Sequence, residues 1–127
     1  MLFRSGVIDV NVTPGTYTAR FASVISGKGL IKTGTKLQLL AANTYTGLTQ
    51  LYADRTQVQN SSALGSSAAG TIVYPSAQLE FSNSIGGGSI NISSEPVTIL
   101  GLGFNDGTLR GALSNAAGAN KIGRAHV

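Results

Sequence analysis

Residues 41–50 read AANTYTGLTQ. Within them Asn43-Thr44-Tyr45-Thr46-Gly47 stands between two short runs, Leu37-Gln38-Leu39-Leu40 and Thr49-Gln50-Leu51-Tyr52. Asn and Gly reach the left-handed backbone region at low cost. Thr and Tyr suit a pleated, half-buried surface. The stretch reads as strand, tight corner, strand. Gly47 or Asn43 is expected at a positive-φ position, and Tyr45 is expected to pack against the edge of a core.

The pattern recurs on both sides. Val7-Ile8-Asp9-Val10-Asn11-Val12, Thr56-Gln57-Val58-Gln59, Thr71-Ile72-Val73-Tyr74, Leu79-Glu80-Phe81, Ile90-Asn91-Ile92 and Val97-Thr98-Ile99 all follow the period of two of a strand. Gly, Asn and Ser clusters separate them, at 43–47, 60–70, 82–89 and 101–107. No window carries a sustained helical face, and Ala63-Leu64-Gly65-Ser66 amounts to one turn at most. The chain reads as all-β. Leu37, Leu39, Leu51, Val58, Val73, Leu79, Phe81, Ile90, Ile92, Val97 and Ile99 should point into one continuous core, with Glu80 directed to solvent.

Many short strands fit a sandwich, a closed barrel or a solenoid of stacked coils. Runs of three to five residues are short for a sandwich, where about five or six is usual. Sparse aromatics and small polar corners suit a solenoid, in which each strand hydrogen-bonds to its equivalents about 4.8 Å above and below. At about twenty residues per coil, the chain would supply about five or six coils.

Composition narrows the function. Only 11% of the 127 residues are charged, 42% are hydrophobic, and 17 are Gly against three Pro, which describes a foldable, turn-rich chain rather than a disordered one. The net charge of +4 raises the question of nucleic acid. The basic residues are scattered, however, and the loose cluster of Lys28, Lys32 and Lys36 lacks an aromatic stacking platform. These lysines read as solvated groups at strand ends, with no nucleic-acid partner. The absence of Cys excludes disulfides, thiolate metal sites and cysteine nucleophiles. No run approaches the length of a membrane helix.

The longer stretch GLIKTGTKLQLLAANTYTGLTQLYADRTQVQNSSALGS, residues 29–66, resembles the autotransporter-associated β-strand repeat, also called the passenger-associated transport repeat. Gly29, Leu30, Lys32, Gly34, Leu37, Leu39, Ala42 to Gly47, Thr49, Leu51, Val58, Ala63, Leu64 and Gly65 carry the resemblance. Val24-Ile25-Ser26-Gly27 looks like its lead-in. Residues 92–120 are similar to a segment of large bacterial surface proteins, with Gly111-Ala112-Leu113 and Ala119-Asn120 like the start of another repeat. Two departures stand out. Gly34-Thr35-Lys36-Leu37 is one residue longer than the family's Gly-Thr-Leu, and the family's Ala-Gly corner is here Ala53-Asp54-Arg55.

The resemblance implies a right-handed parallel β-helix over residues 1–121, with one repeat near 29–65 and the start of another near 111–120. It also implies a location and a job: a passenger segment of an autotransporter-type protein, exported across the outer membrane, secreted or displayed at the cell surface, and supporting passenger folding and secretion. Its partners would be neighbouring coils of the parent chain and an outer-membrane translocator barrel. Asn43, Thr44, Tyr45, Thr46 and Gly47 would form the structural turn. The alternative is an adhesin whose outer faces, with Tyr17, Tyr45, Tyr52 and Tyr74, contact host or matrix glycans. Outward tyrosines in a row would favour that alternative, and inward ones the structural role. Residues 122–127, IGRAHV, leave the pattern and look like a sequencing adapter translated in one frame. They read as a non-native tail.

Catalytic chemistry finds few groups. The carboxylates are Asp9, Asp54, Asp106, Glu80 and Glu95, too dispersed for a paired acid–base site except across stacked coils. Glu95-Pro96 resembles a corner of the same family, which implies a structural use. A Ser–His arrangement would have to rest on His126, and no Gly-x-Ser-x-Gly elbow, phosphate loop or dinucleotide fingerprint is present. Asn11, Asn60 and Asn91 head glycosylation-type triplets of the kind that chance supplies in an Asn-, Ser- and Thr-rich chain. The reading is therefore of a non-enzymatic protein with no cofactor or metal.

Overall fold

The computed structural model describes residues 2–4, 6–12, 18–83 and 88–126, with side chains for 6–11, 18–83 and 88–122. Alternating apolar and polar residues form ten strands: β1 (Leu2–Arg4), β2 (Val7–Val12), β3 (Ala19–Phe21), β4 (Gly29–Gly34), β5 (Leu37–Leu39), β6 (Thr49–Val58), β7 (Thr71–Ser82), β8 (Asn91–Ile99), β9 (Leu113–Ala117) and β10 (Lys121–His126). Apart from the antiparallel pair β1–β2, every pairing of these strands is parallel. The arrangement is a β-solenoid of about four turns.

Register defines the sides of the stack. On the first, Leu30 lies beside Thr49, Thr49 beside Thr71 and Thr71 beside Val97. On the second, Ala19, Leu37, Thr56, Leu79 and Leu113 follow one another from coil to coil. Non-strand hydrogen bonds join the short third side, from Thr44 N to Ile25 O and from Asn43 N to Ser62 O. Among the described residues, the inner coils thus find backbone partners in the coil before and the coil after.

Two expectations change. Coils are not uniform: Leu37 to Thr56 spans 19 positions, Thr56 to Leu79 spans 23 and Leu79 to Leu113 spans 34. The longer coils use up sequence, so the chain makes about four turns rather than five or six. Strand length changes in part: β1, β3, β5 and β9 keep to three to five residues, but β6 reaches ten and β7 twelve. Each of these runs round a corner. The first part of β6 pairs with β4 and its last part with β5, and the bend coincides with a register shift between Leu51 and Ala53.

The interior is one apolar cluster. Leu37, Leu39, Leu51, Val58, Val73, Leu79, Phe81, Ile90, Ile92 and Val97 are all buried in it, with Ile99 packed against it. Ile8, Val10, Ile25, Leu30, Tyr45, Ala63, Leu64 and Ala77 join them. The extra residue at Thr35-Lys36 falls in the connection between β4 and β5, so it leaves Leu37 in register with Ala19 and Thr56.

Glu80 is a correction. It alternates with Leu79 and Phe81, yet it is buried rather than solvated. The segment after β8 lies over this outer face: Gln78 Nε2 donates to the Arg110 carbonyl at 2.7 Å, and the Arg55 guanidinium sits 5.9 Å from the Phe104 ring centroid. Beneath this cover Glu80 accepts from Gln57 Nε2 at 2.6 Å and lies 3.7 Å from Arg55 Nη1. The segment 122–126 pairs along β8 through its backbone as part of β10.

Candidate functional site

The Asn43–Gly47 corner occupies the third side of the solenoid, between Val24–Gly27 of the preceding coil and Ser62–Ser66 of the next. Asn43 is buried, and its side chain spans both gaps. Its Oδ1 accepts from Ile25 N at 2.8 Å, and its Nδ2 donates to Ala63 O at 2.7 Å. The backbone repeats the pattern: Thr44 N and Thr46 N donate to Ile25 O and Gly27 O, and Ser66 N donates to Tyr45 O. Thr44 and Thr46 point to solvent. One residue type therefore ties three coils, because an amide side chain carries both a donor and an acceptor.

Tyr45 goes further inward than the core edge; it is fully buried. Its hydroxyl lies 2.6 Å from Thr49 Oγ1, which donates to Leu64 O at 3.1 Å, so the phenol serves as donor. Burial pushes the phenol pKa up. Gly65, at φ 75°, makes the seat: a Cβ there would sit 2.6 Å from the Tyr45 ring.

Neither Asn43 nor Gly47 takes a positive φ, which corrects the expectation for this corner. Gly47 is required for another reason. A Cβ on it would overlap the Lys28 carbonyl oxygen of the preceding coil. The need is for close backbone approach, not for a left-handed turn.

The left-handed residue lies instead at Asp54, φ 54°, the one non-Gly positive φ among the described residues. Asp tolerates this region better than most residues, and its Oδ1 accepts from Arg55 N at 2.6 Å. The departure from Ala-Gly noted in the sequence thus falls on the residue that takes the conformation a Gly adopts most easily.

Lys32 is the side chain that charge counting misplaced. It is fully buried, whereas Lys28 is exposed. Its Nζ donates to Ala53 O at 2.5 Å and reaches Gly34 O at 3.5 Å. Desolvation lowers its pKa to about 8, against an opposing pull from the Asp54 carboxylate. Its place in the alternation Leu30-Ile31-Lys32 was the available signal, since Lys32 shares the inward face of Leu30.

The tyrosines divide. Tyr45 is inward, while Tyr52 and Tyr74 stand on the outside of β6 and β7 with ring centroids 4.1 Å apart and planes at 11°. Both hydroxyls converge on Gln50 Oε1, at 3.1 and 3.3 Å. Tyr17 lies outside the described residues.

Glu95 lies within β8, at the register shift against β10 that falls between Ile92 and Pro96. It is buried, accepts from Thr71 Oγ1 at 2.7 Å, and has its pKa raised by burial. It lines a recess of about 240 Å³ with Ser61, Ser62, Ser67, Asn91 and Ser94. Among the described residues no group of three or more Asp, Glu, His or Cys could hold a metal ion. Among them, too, no helix is long and apolar enough to cross a membrane. Comparison with family models, with curated proteins and with solved structures returns no match.

Proposed function

We propose that the chain is a structural segment of an autotransporter-type passenger, displayed at the bacterial surface or secreted, where it supports folding and export through a translocator barrel. The observation that carries this reading is the Asn43 corner. Its recognisable residues are spent on joining successive coils, with Asn43 and Tyr45 turned inward. A stack in which each coil bonds to its neighbours suits folding one coil at a time as chain emerges from a pore. The test fuses the chain between an export signal and a translocator barrel and measures surface display by protease accessibility. Display that falls with Asn43→Ala and Gly47→Val supports the reading. Display that is equal for both variants and the parent, while both variants remain folded, rejects it.

A second reading has its own observation. Tyr52 and Tyr74 stand outward in one column beside Gln50, as an adhesin surface for host or matrix glycans would require. Stacking covers one face of each ring, and the hydroxyl ends, turned to Gln50, remain to meet a sugar. Glycan binding by the purified chain that is lost in Tyr52→Ala with the fold intact would favour this reading.

A further inference from the structure

We propose that Tyr52 and Tyr74 form a modification site, at which a peroxide-driven one-electron oxidant joins the two phenols into an intrachain dityrosine that fastens adjacent coils. Three observations carry it, none of which depends on the export reading.

The first is geometry. Leu51 pairs with Val73 on neighbouring strands, and at the register shift that begins there the residues that follow them, Tyr52 and Tyr74, lie against each other. Their rings stack at 4.1 Å and 11°. Because both hydroxyls reach the same Gln50 oxygen, the two phenols lie the same way round. The ortho carbons beside the two hydroxyls are therefore on the same side of the stack.

The second is access. Tyr52 is 39% exposed and Tyr74 half-buried, within reach of a diffusing oxidant. Tyr45 is fully buried and its hydroxyl is committed to Thr49.

The third is composition. With no Cys, no Trp and a single Met, the chain has few side chains that would take the oxidation before tyrosine does.

The chemistry closes. A haem peroxidase acting through one hydrogen peroxide removes one electron and one proton from each phenol and releases two waters. The two radicals couple through a new bond between ortho carbons. Each ring then loses the hydrogen on its coupled carbon and regains one on its own oxygen, restoring both phenols. The protein is oxidised by the loss of two hydrogens, and the peroxide is reduced.

The experiment treats the full chain with peroxidase and hydrogen peroxide, isolates the monomer-sized product and digests it with trypsin. The expected result is fragments 37–55 and 56–110 joined at Tyr52 and Tyr74 and lacking two hydrogens. Tyr52→Phe, which keeps the ring, should abolish this product, Tyr17→Phe should leave it, and urea present during oxidation should remove its preference. The cross-linked monomer should also unfold at a higher temperature, as a link that constrains the unfolded chain does. The proposal is overturned by absence of the 52–74 link while N-acetyltyrosinamide dimerises in the same mixture. It is overturned equally by a product that survives Tyr52→Phe, or that forms equally well in urea.

Discussion

Asn43 and Asn120 grip the coil before each of them through the same pair of hydrogen bonds. Asn43 Oδ1 accepts from Ile25 N while the next residue's N–H, on Thr44, donates to Ile25 O. Asn120 Oδ1 accepts from Ile90 N at 2.7 Å while Lys121 N donates to Ile90 O at 2.8 Å. The difference lies on the other flank. Asn43 Nδ2 continues to Ala63 O in the following coil, whereas Asn120 Nδ2 turns back to Asn115 Oδ1 and Ala117 O.

Asn43→Ala should leave Ile25 N and Ala63 O without their side-chain partner in a buried setting. A loss of about 1–3 kcal/mol per stranded group is expected. Asn120→Ala, half-buried and turned back on its own coil, should lose less. Urea unfolding of the two variants beside the parent measures the difference. An Asn120→Ala loss equal to that of Asn43→Ala would contradict the three-coil role of Asn43.

Gly47→Ala separates the two explanations for that glycine. A turn conformation would penalise Ala through φ, but Gly47 has no positive φ. Contact with the Lys28 carbonyl penalises any Cβ. Overpacking of this kind costs about 1–3 kcal/mol. Gly107, at φ 102° with open space where a methyl would go, supplies the opposite case of φ strain without a clash. A folded Gly47→Ala chain whose urea midpoint matches the parent would remove the close-approach argument.

Asp54 carries the left-handed conformation at β6. Asp54→Ala should destabilise by about 1 kcal/mol, because Ala cannot cap Arg55 N as the Asp carboxylate does. Asp54→Gly loses the same hydrogen bond but relieves the backbone, so it should lie above Asp54→Ala in stability. The reverse order in thermal unfolding would show that the φ value contributes little.

Lys32 makes stability depend on alkaline pH. Its folded pKa of about 8 lies below the ordinary 10.5, so between these values the unfolded chain holds more protons. Stability then rises as pH climbs through this window, by about 3 kcal/mol if Lys32 acted alone, and is lost again as pH falls through about 8. Tyr45 has the opposite sign: its raised pKa means that the unfolded chain loses this proton first, and stability falls once the ordinary phenol range is passed. Urea midpoints measured from neutral to alkaline pH should climb and then turn over, and Lys32→Met should remove the climb. A parent curve that is flat through the window would contradict a buried ammonium.

The sequence made the core legible because alternation is local. Leu37-Gln38-Leu39 and Leu79-Glu80-Phe81 each declare an inward face within three residues. What escaped depended on residues far away in sequence. Glu80 is covered by a segment some thirty residues on, through Gln78 and the Arg110 carbonyl. Gly47 is constrained by Lys28 of another coil. Lys32 followed the alternation, but its charge argued for solvent until Ala53 O supplied a partner inside. Asn43 was legible as a corner residue, yet its two side-chain bonds to different coils required the stacking order. Uniform spacing overstates the coil number because the connections at 83–90 and 100–112 lengthen.

Unequal coils separate the length of this chain from its height. Passing from Leu37 to Thr56 uses 19 residues and from Leu79 to Leu113 uses 34, yet each passage lifts the stack by one strand spacing, about 4.8 Å. The surplus of the longer coil spreads sideways, over the outer face at Gln78 and Glu80. Residues added there would broaden the cross-section at one compass point and leave the axial ladder of every other coil in step.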